Sequence, residues 1–466
     1  MKTYDIAVIG TGPGGYVAAV RATQRGARVV VIEKNAIGGV CLNVGCIPTK
    51  TLIYSAELYR KMQHATDYGL TVDGAGFDMK AMVDRKNKVI AMNTGGIEAL
   101  FKGHGIDVIQ GEAQVVAPGE IKVGDATVKA TSIIIATGGR PAQLPGLEFN
   151  GKTVIGSTDA LELTELPGRI GVIGAGAIGA EFACIWNALG AQVTLVEFMP
   201  HVLPREDEDL SKRLAAGLKR KGIDIRTGTK VAELKHSKKG VRMHLDGDKG
   251  GEVDVDLVLV AIGLECNSEV VTRTPGLGVE VGPRGGITVD ARMETTVPGI
   301  YAIGDVTNKT WLAHGASAEG IVAATNATGG NRHMDYRVVP SCTFTAPEVA
   351  SVGLTETQAK ESGYQVKTGS FLFSGNGRAH AIGETEGLVK IVGDAATDQI
   401  LGVHIMGCEA GELIAAGAMA MALEATVEEM AHTIHTHPTL SEAMMEAAED
   451  YYGIGIHTRP KPGAKR

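Results

Sequence analysis

An α/β protein is predicted here: two copies of one parallel-sheet unit, then a smaller α+β domain. Three observations carry this: a registered internal repeat, glycine at about twice its usual share, and a change of pattern after Pro340. Glycine supplies 63 of 466 residues, with 16 prolines and no G-x-y period, which excludes collagen-like and low-complexity chains. The length suits about three domains, each able to bury a core.

Residues 5–33 read DIAVIGTGPGGYVAAVRATQRGARVVVIE, and residues 169–197 read RIGVIGAGAIGAEFACIWNALGAQVTLVE. Gly10, Gly12, Gly15, Gly26 and Glu33 recur as Gly174, Gly176, Gly179, Gly190 and Glu197, each 164 residues later. Each copy runs apolar strand, G-x-G-x-x-G, helix, Gly-Ala turn, apolar strand, acid. This is the Rossmann-like dinucleotide-binding fingerprint in its full context. Its first glycine permits the tight turn, the second admits a pyrophosphate, and the third lets helix and strand pack. Helix N-terminal N–H groups then hold the phosphates, and the closing acid meets a ribose. Two dinucleotides per chain are expected.

Domain limits follow from the strands. A strand over 131–136 leads into a turn at 137–141, and a Gly/Pro-bearing linker spans 143–153. Strand 255–262 ends at Gly263, and strand 299–303 ends at Gly304-Asp305, returning to the first unit. Short strands at 386–393 and 400–406, with helices at 409–423 and 426–434, make the last part α+β. The expected division is 1–147 and 271–338 for the first unit, 148–270 for the second, and 339–466 for the C-terminal domain. Gly250-Gly251 and Gly285-Gly286 read as ordinary surface turns.

Composition excludes several classes. Forty-five Lys+Arg against 53 Asp+Glu give a net charge of −8, with no basic stripe for nucleic acid. The one basic run, 461–466, reads as a solvated tail. The longest apolar run, 413–423, falls short of the roughly 20 residues of a membrane span. Residues 6–9 are too short an apolar stretch for a signal peptide. Six cysteines make no disulfide scaffold, and Cys184, Cys266, Cys342 and Cys408 are scattered. A cytoplasmic enzyme is expected, or a mitochondrial-matrix one if a transit peptide has been removed.

Cys41 and Cys46 lie close together in GGVCLNVGCIPTK. On a straight helix, residues five apart have Cα atoms about 8–9 Å apart, beyond the roughly 7 Å limit for a disulfide. A bridge therefore needs a bent turn, which Asn43 and Gly45 permit. Pro48 suits an early helix position, which puts Cys46 near a helix N-terminus where a thiolate is favoured. Lys50, four residues on, adds positive potential. The alternatives are a redox pair and two buried free thiols; a place directly after a cofactor strand favours the redox pair.

The segment resembles the redox-disulfide motif of the FAD-dependent pyridine nucleotide–disulfide oxidoreductases. TGGRP at 137–141, YAIGD at 301–305 and HTHPTLSEA at 435–443 extend the resemblance over the chain in order. Within that family the likeness is to the branch that oxidises protein-bound dihydrolipoamide. It implies a Cys41–Cys46 disulfide, FAD on the first fingerprint and NAD on the second. It also implies a homodimer whose C-terminal domain forms the interface. The partner is a lipoyl-bearing subunit of a 2-oxo acid dehydrogenase complex or glycine cleavage system. No lipoyl domain precedes Met1, so a separate chain is expected to carry that group.

Residue roles follow by the same resemblance. Gly10, Gly12, Gly14, Gly15, Glu33, Lys34, Gly39, Val40, Cys41 and Lys50 would line the FAD site. Ala113 would meet the adenine, Thr137-Gly138 would close over the cofactor, and Asp305 would hold its ribityl chain or phosphate. Leu312, Ala313 and His314 would line the flavin's pyrimidine end. Gly174, Gly176, Ile178, Gly179, Glu181, Glu197, Val231 and Gly263 would serve the NAD side, with Glu181 pairing Lys50. Glu197 repels a 2′-phosphate, and no arginine follows before Arg205, so NAD is preferred to NADP.

Thiol chemistry needs a base near neutral pH, which histidine supplies, and a carboxylate can fix its tautomer. The resemblance selects His437 as base and Glu442 as partner. His435 and His437 lack a third ligand at fixed spacing, so no metal is expected. The competing readings are a glutathione-reductase-like enzyme and a non-catalytic dinucleotide-binding redox sensor. One departure stands out: Gly263-Leu264-Glu265-Cys266-Asn267 replaces the family's Gly-Arg-x-Pro-Asn pattern, so an altered loop is expected.

Overall fold

A computed structural model describes residues 3–237 and 240–458; the basic run at 461–466 lies outside them. The internal repeat reappears as topology. In the first sheet, parallel strands lie in the order Asp107–Gln110, Val29–Glu33, Thr3–Ile9, Ala126–Ile135, Ile300–Ala302. In the second, the order is Asp224–Arg226, Gln192–Val196, Arg169–Ile173, Leu257–Val260, Val154–Ile155, again all parallel. Each unit also inserts antiparallel strands between its third and fourth strands: Ala113–Ala117 and Glu120–Val123 in the first, 229–255 in the second.

The two units differ in where the fifth strand comes from. Val154–Ile155 precedes the second sheet, whereas Ile300–Ala302 returns to the first after the second is complete. These strands are apolar on both faces, as parallel strands between helices must be: Val29–Glu33 and Leu257–Val260 are buried throughout. Helix Ala313–Ala327 then packs on helix Pro13–Gln24, where a Cβ on Gly320 would lie 2.5 Å from the Gly14 carbonyl. Gly320 thus serves helix crossing, and Gly14 opposite it is close-packed too, since its own Cβ would lie 3.0 Å from the Ala316 carbonyl.

The C-terminal domain is an antiparallel sheet ordered Ser341–Thr343, Glu348–Gly353, Ile400–Gly407, Leu388–Asp394, Val366–Leu372. Helices Ala410–Ala422, Val427–His432 and Glu442–Tyr452 complete this α+β domain. No helix among the described residues is long and apolar enough to cross a membrane.

The structure corrects three local expectations. The strand placed at 131–136 runs over Ala126–Ile135, because its first half pairs with Glu120–Val123 and its second with Ile300–Ala302. Residues 137–141 are not only a turn: Gly139–Pro141 pairs antiparallel with Leu264–Cys266. Gly286 is no surface turn. It is buried, and a Cβ there would lie 2.7 Å from Cβ of Asn308.

Candidate functional site

The two glycine-rich turns separate what packing demands from what a ligand demands. Gly10 and Gly174 have φ of +100° and +101°, and a Cβ on either would run into the carbonyl of Ala136 or Ala261. A Cβ on Gly15 or Gly179 would strike the carbonyl of Gly10 or Gly174. Gly12 and Gly176 are different. A Cβ on Gly12 meets nothing nearer than 4.0 Å, and one on Gly176 meets nothing within 4 Å. Both N-cap helices, Pro13–Gln24 and Ala177–Ala188, that have no side-chain cap. Open space before uncapped N–H groups fits a pyrophosphate. Gly179→Ala should therefore lower unfolding stability by about 1–3 kcal/mol through overpacking. Gly176→Ala should leave the melting temperature near normal and weaken dinucleotide binding; thermal melts and calorimetry separate the two.

The acids closing each repeat do structural work as well. Glu33, 6% exposed, accepts the Thr11 N–H at 2.9 Å, the Thr11 hydroxyl at 2.6 Å and the Asn35 N–H at 2.9 Å. Glu197 accepts the N–H groups of Ala175 at 2.6 Å and Met199 at 2.8 Å. Thr11 and Ala175 are equivalent in the repeat, as are Asn35 and Met199. Each carboxylate clamps the turn that precedes it.

The remaining candidates fall around these turns. Gly39 lies against Gly12, and Lys34 and Val40 are exposed beside it. Ala113 is buried at the start of its strand. Thr137 Oγ1 donates to the Asn267 carbonyl at 2.7 Å, and Gly138 accepts the Asn267 N–H at 3.0 Å. Leu312 caps helix Ala313–Ala327, and His314 Nε2 lies 2.6 Å from the Pro340 carbonyl. Ile178 and Val231 are half-buried, and Gly263, at φ +129°, faces open space. Burial alone pushes the Asp305 carboxyl up to about 6. A carboxyl with no protein group offsetting its burial fits a cofactor hydroxyl.

At the cysteine pair, helix Gly39–Val44 ends at Gly45, and helix Cys46–Gln63 starts immediately after. Asn43 Nδ2 ties the bend by donating to the carbonyls of Ile37 at 2.9 Å and Gly39 at 2.8 Å. Cys41 and Cys46 are thiols joined by a side-chain hydrogen bond. That bond raises Cys41 and lowers Cys46 to about 7, against burial and with help from the Lys50 charge. Of the two sulfurs, Cys46 is the one favoured as thiolate and Cys41 the one favoured as thiol. Lys50 Nζ lies 2.9 and 2.8 Å from the two Glu181 oxygens. Glu181, 3% exposed, also accepts the Phe344 N–H at 2.9 Å, and Lys50 stands 4.8 Å from the Phe344 ring centroid. The node joins both dinucleotide units and the C-terminal domain. Lys50→Met should shift the alkylation of Cys46 to higher pH; an unchanged pH profile would show that Lys50 does not stabilise the thiolate.

His437 Nδ1 lies 2.9 Å from Glu442 Oε1, while Glu442 Oε2 accepts the Thr439 N–H at 2.8 Å. Partial burial opposes ionisation of Glu442, but the Thr439 N–H and His437 hold it below the usual carboxylate range. The His437 side chain is 78% exposed. Among the described residues it meets Glu442 and makes no contact with either cysteine. His435 turns to the Thr433 carbonyl at 2.8 Å. No described group of His, Cys, Asp and Glu has a metal-holding arrangement.

The sequence pattern of the pyridine nucleotide-disulphide oxidoreductases matches residues 4–320, and that of their dimerisation domain matches residues 339–448. The chain belongs to this family. Among relatives of this disulphide oxidoreductase is the dihydrolipoyl dehydrogenase of Thermus scotoductus, 47% identical and covering 98% of this chain and 99% of that one. A mitochondrial dihydrolipoyl dehydrogenase from Pisum sativum is 42% identical over 97% of this chain and 92% of its own. The solved HOCl-induced flavoprotein disulfide reductase RclA of Escherichia coli superposes with a TM-score of 0.85 at 30% identity. It covers 96% of this chain and 99% of that one. The oxidoreductase is thus a redox enzyme with dinucleotide-binding units and a dimerisation domain.

In this oxidoreductase the departing segment is ordered. Asn267 exchanges hydrogen bonds with Thr137, Arg140 bridges Asn267, Glu265 and Glu269, and the Cys266 thiol donates to the Asp305 carbonyl at 3.3 Å. Phe344 escaped the sequence reading, because its contact crosses domains and no spacing rule connects it to the motifs; Asn267 stands in the departing segment, but its bonds to Thr137 and Gly138 could not be read there.

Proposed function

We propose that the chain oxidises protein-bound dihydrolipoamide to lipoamide, with the electrons leaving through FAD to NAD⁺. The Cys41–Cys46 pair beside Lys50–Glu181 carries this reading: it is a dithiol couple with one sulfur prepared as a leaving thiolate. His437, oriented by Glu442, takes a proton from one substrate thiol. That thiolate attacks Cys41 Sγ of the enzyme disulfide, and Cys46 leaves as thiolate, as exchange favours for the lower-pKa sulfur. The second substrate thiol closes lipoamide and leaves Cys41 as the thiol hydrogen-bonded to Cys46. Bound FAD and NAD⁺ supply the two-electron acceptor that restores the disulfide.

The first turn with Glu33, Ala113, Thr137-Gly138 and Asp305 would hold FAD, and the second turn with Glu197, Val231 and Gly263 would hold NAD. His437 is exposed and, among the described residues, hydrogen-bonds Glu442 and neither of its own cysteines, which suits a base acting on the partner subunit's disulfide. Ile434, Leu423 and Met419, 95%, 75% and 65% exposed, supply apolar surface for that homodimer. Steady-state assay of dihydrolipoamide with NAD⁺ beside glutathione disulfide with NADPH tests the reading. Turnover should favour the first pair by orders of magnitude. Preference for the second pair would replace this reading with a glutathione-reductase-like one.

A further inference from the structure

A second polar cluster lies where the NAD-side unit meets the C-terminal domain. The chain beyond Glu197 is fastened to the second glycine-rich turn, since the Leu203 N–H donates to the Ala175 carbonyl at 2.8 Å. A few residues later, Asp207 crosses to the C-terminal domain. It caps helix Glu208–Arg220, accepts the Glu356 N–H at 3.1 Å and lies 2.9 Å from Lys390 Nζ. Lys390 is 4% exposed and also meets Asp209 and Glu356, each at 2.7 Å. One ammonium already faces three carboxylates, and none of its contacts reaches Glu206.

Glu206 accepts the Ser341 hydroxyl at 3.2 Å and contacts Ser351 Oγ. Ser351 Oγ is 3.1 Å from Nδ1 of His404, which is fully buried with Nε2 2.9 Å from the Leu354 carbonyl. A carbonyl only accepts, so Nε2 bears a hydrogen. Ser351 has one hydroxyl hydrogen and two neighbours, Glu206 and His404 Nδ1. With Glu206 ionised and His404 neutral, both neighbours are acceptors, and one is left facing lone pairs. Buried acceptors are rarely left in that state. One added proton resolves it.

That proton sits on Glu206 or makes His404 an imidazolium. Burial disfavours both charged forms, at His404, which is fully enclosed, and at Glu206, which is half-buried with its carboxyl turned to Ser341 and Ser351. Burial raises the Glu206 carboxyl against the Ser351 and Ser341 hydroxyls, with Asp207 adding to the rise; it lowers His404 against Asp207 and the Leu354 carbonyl, with Lys390 adding to the fall. Cys342, the other titratable group near Glu206, is kept protonated by its own burial.

We propose that Glu206 is a carboxylic acid at neutral pH, donating through Ser351 to His404. This uncharged relay is a positioning unit that holds the segment 198–207, and through it the second dinucleotide turn, against the C-terminal domain. Its functional half rests on the NAD assignment above; the protonation does not. A folded-state pKa above the unfolded one gives stability that is complete below the unfolded value. That stability is lost as pH rises through the folded value. Ionisation would set a second carboxylate beside Asp207, so the junction should loosen on the alkaline side.

Glu206→Gln and Glu206→Ala in the dimeric holoenzyme test this. A glutamine amide can donate to Ser351 and accept from Ser341, repeating the pattern without a proton to lose. Wild type should show the infrared C=O band of a protonated carboxyl at pH 7, absent from Glu206→Gln. That variant should keep wild-type melting at pH 7 and lose the alkaline decline that Glu206 causes. By calorimetry, Glu206→Ala should weaken NAD⁺ binding about tenfold and Glu206→Gln should restore it. Absence of the band, or a glutamine variant as unstable as alanine, would overturn the protonation. Unchanged NAD⁺ affinity in a folded Glu206→Ala would overturn the positioning role. Failure of wild type to bind NAD⁺ would instead strike the cofactor assignment.

Discussion

Replacing Cys46 with serine is expected to cut turnover by about 10⁴-fold or more, the scale set by loss of a residue whose covalent bond is broken and remade in each cycle. It should also remove the long-wavelength absorbance that a thiolate produces against flavin on two-electron reduction. Cys46 opens an 18-residue helix, receives the Cys41 hydrogen bond and faces the Lys50 charge. Each feature stabilises a thiolate at this sulfur and not at Cys41, whose thiol is raised by the same bond. Cys41→Ser should be equally inactive with substrate while leaving Cys46 able to ionise. A long-wavelength band that persists in Cys46→Ser and vanishes in Cys41→Ser would reverse the two roles.

His437→Gln is expected to lower dihydrolipoamide oxidation by about 10²–10⁴-fold, the usual share of a positioned general base. Reduction of the enzyme from the NADH side should be nearly unaffected, because that half of the cycle needs no proton taken from a substrate thiol. Glu442→Gln should produce a smaller loss, since it leaves the imidazole in place but weakens its orientation and the stabilisation of its charged form. Glu442 also holds the Thr439 N–H, so loop order contributes to its effect. Near-normal turnover in His437→Gln would sink the base assignment.

Some of this architecture is legible in the chain because the physics is local. A G-x-G-x-x-G turn works only where strand, turn and helix are consecutive, so Gly10 to Glu33 and Gly174 to Glu197 reveal both units and their likeness. The bend between the cysteines is equally local, resting on Gly45 and Asn43. Contacts across domains leave no such trace. Nothing near Phe344 announces that its N–H meets Glu181, and Asn267 reaches Thr137 over 130 residues. Gly286 misled for the same reason: its neighbours in sequence suit a surface turn, while its neighbours in space are Thr307 and Asn308. The glycine excess joins both kinds, since Gly179 is required by packing within its own turn and Gly320 by a helix from another part of the chain.

Dihydrolipoamide is expected to reduce the Cys41–Cys46 disulfide before any electrons reach NAD⁺. Anaerobic mixing of the oxidised holoenzyme with one equivalent of dihydrolipoamide, followed by rapid alkylation and peptide mass spectrometry, tests it most directly. Cys41 and Cys46 should be unlabelled before substrate, become alkylated after it, and be protected again once NAD⁺ is added. If NADH forms while both cysteines remain in either their starting or their labelled state throughout, the electrons reach NAD⁺ by a route that bypasses the disulfide.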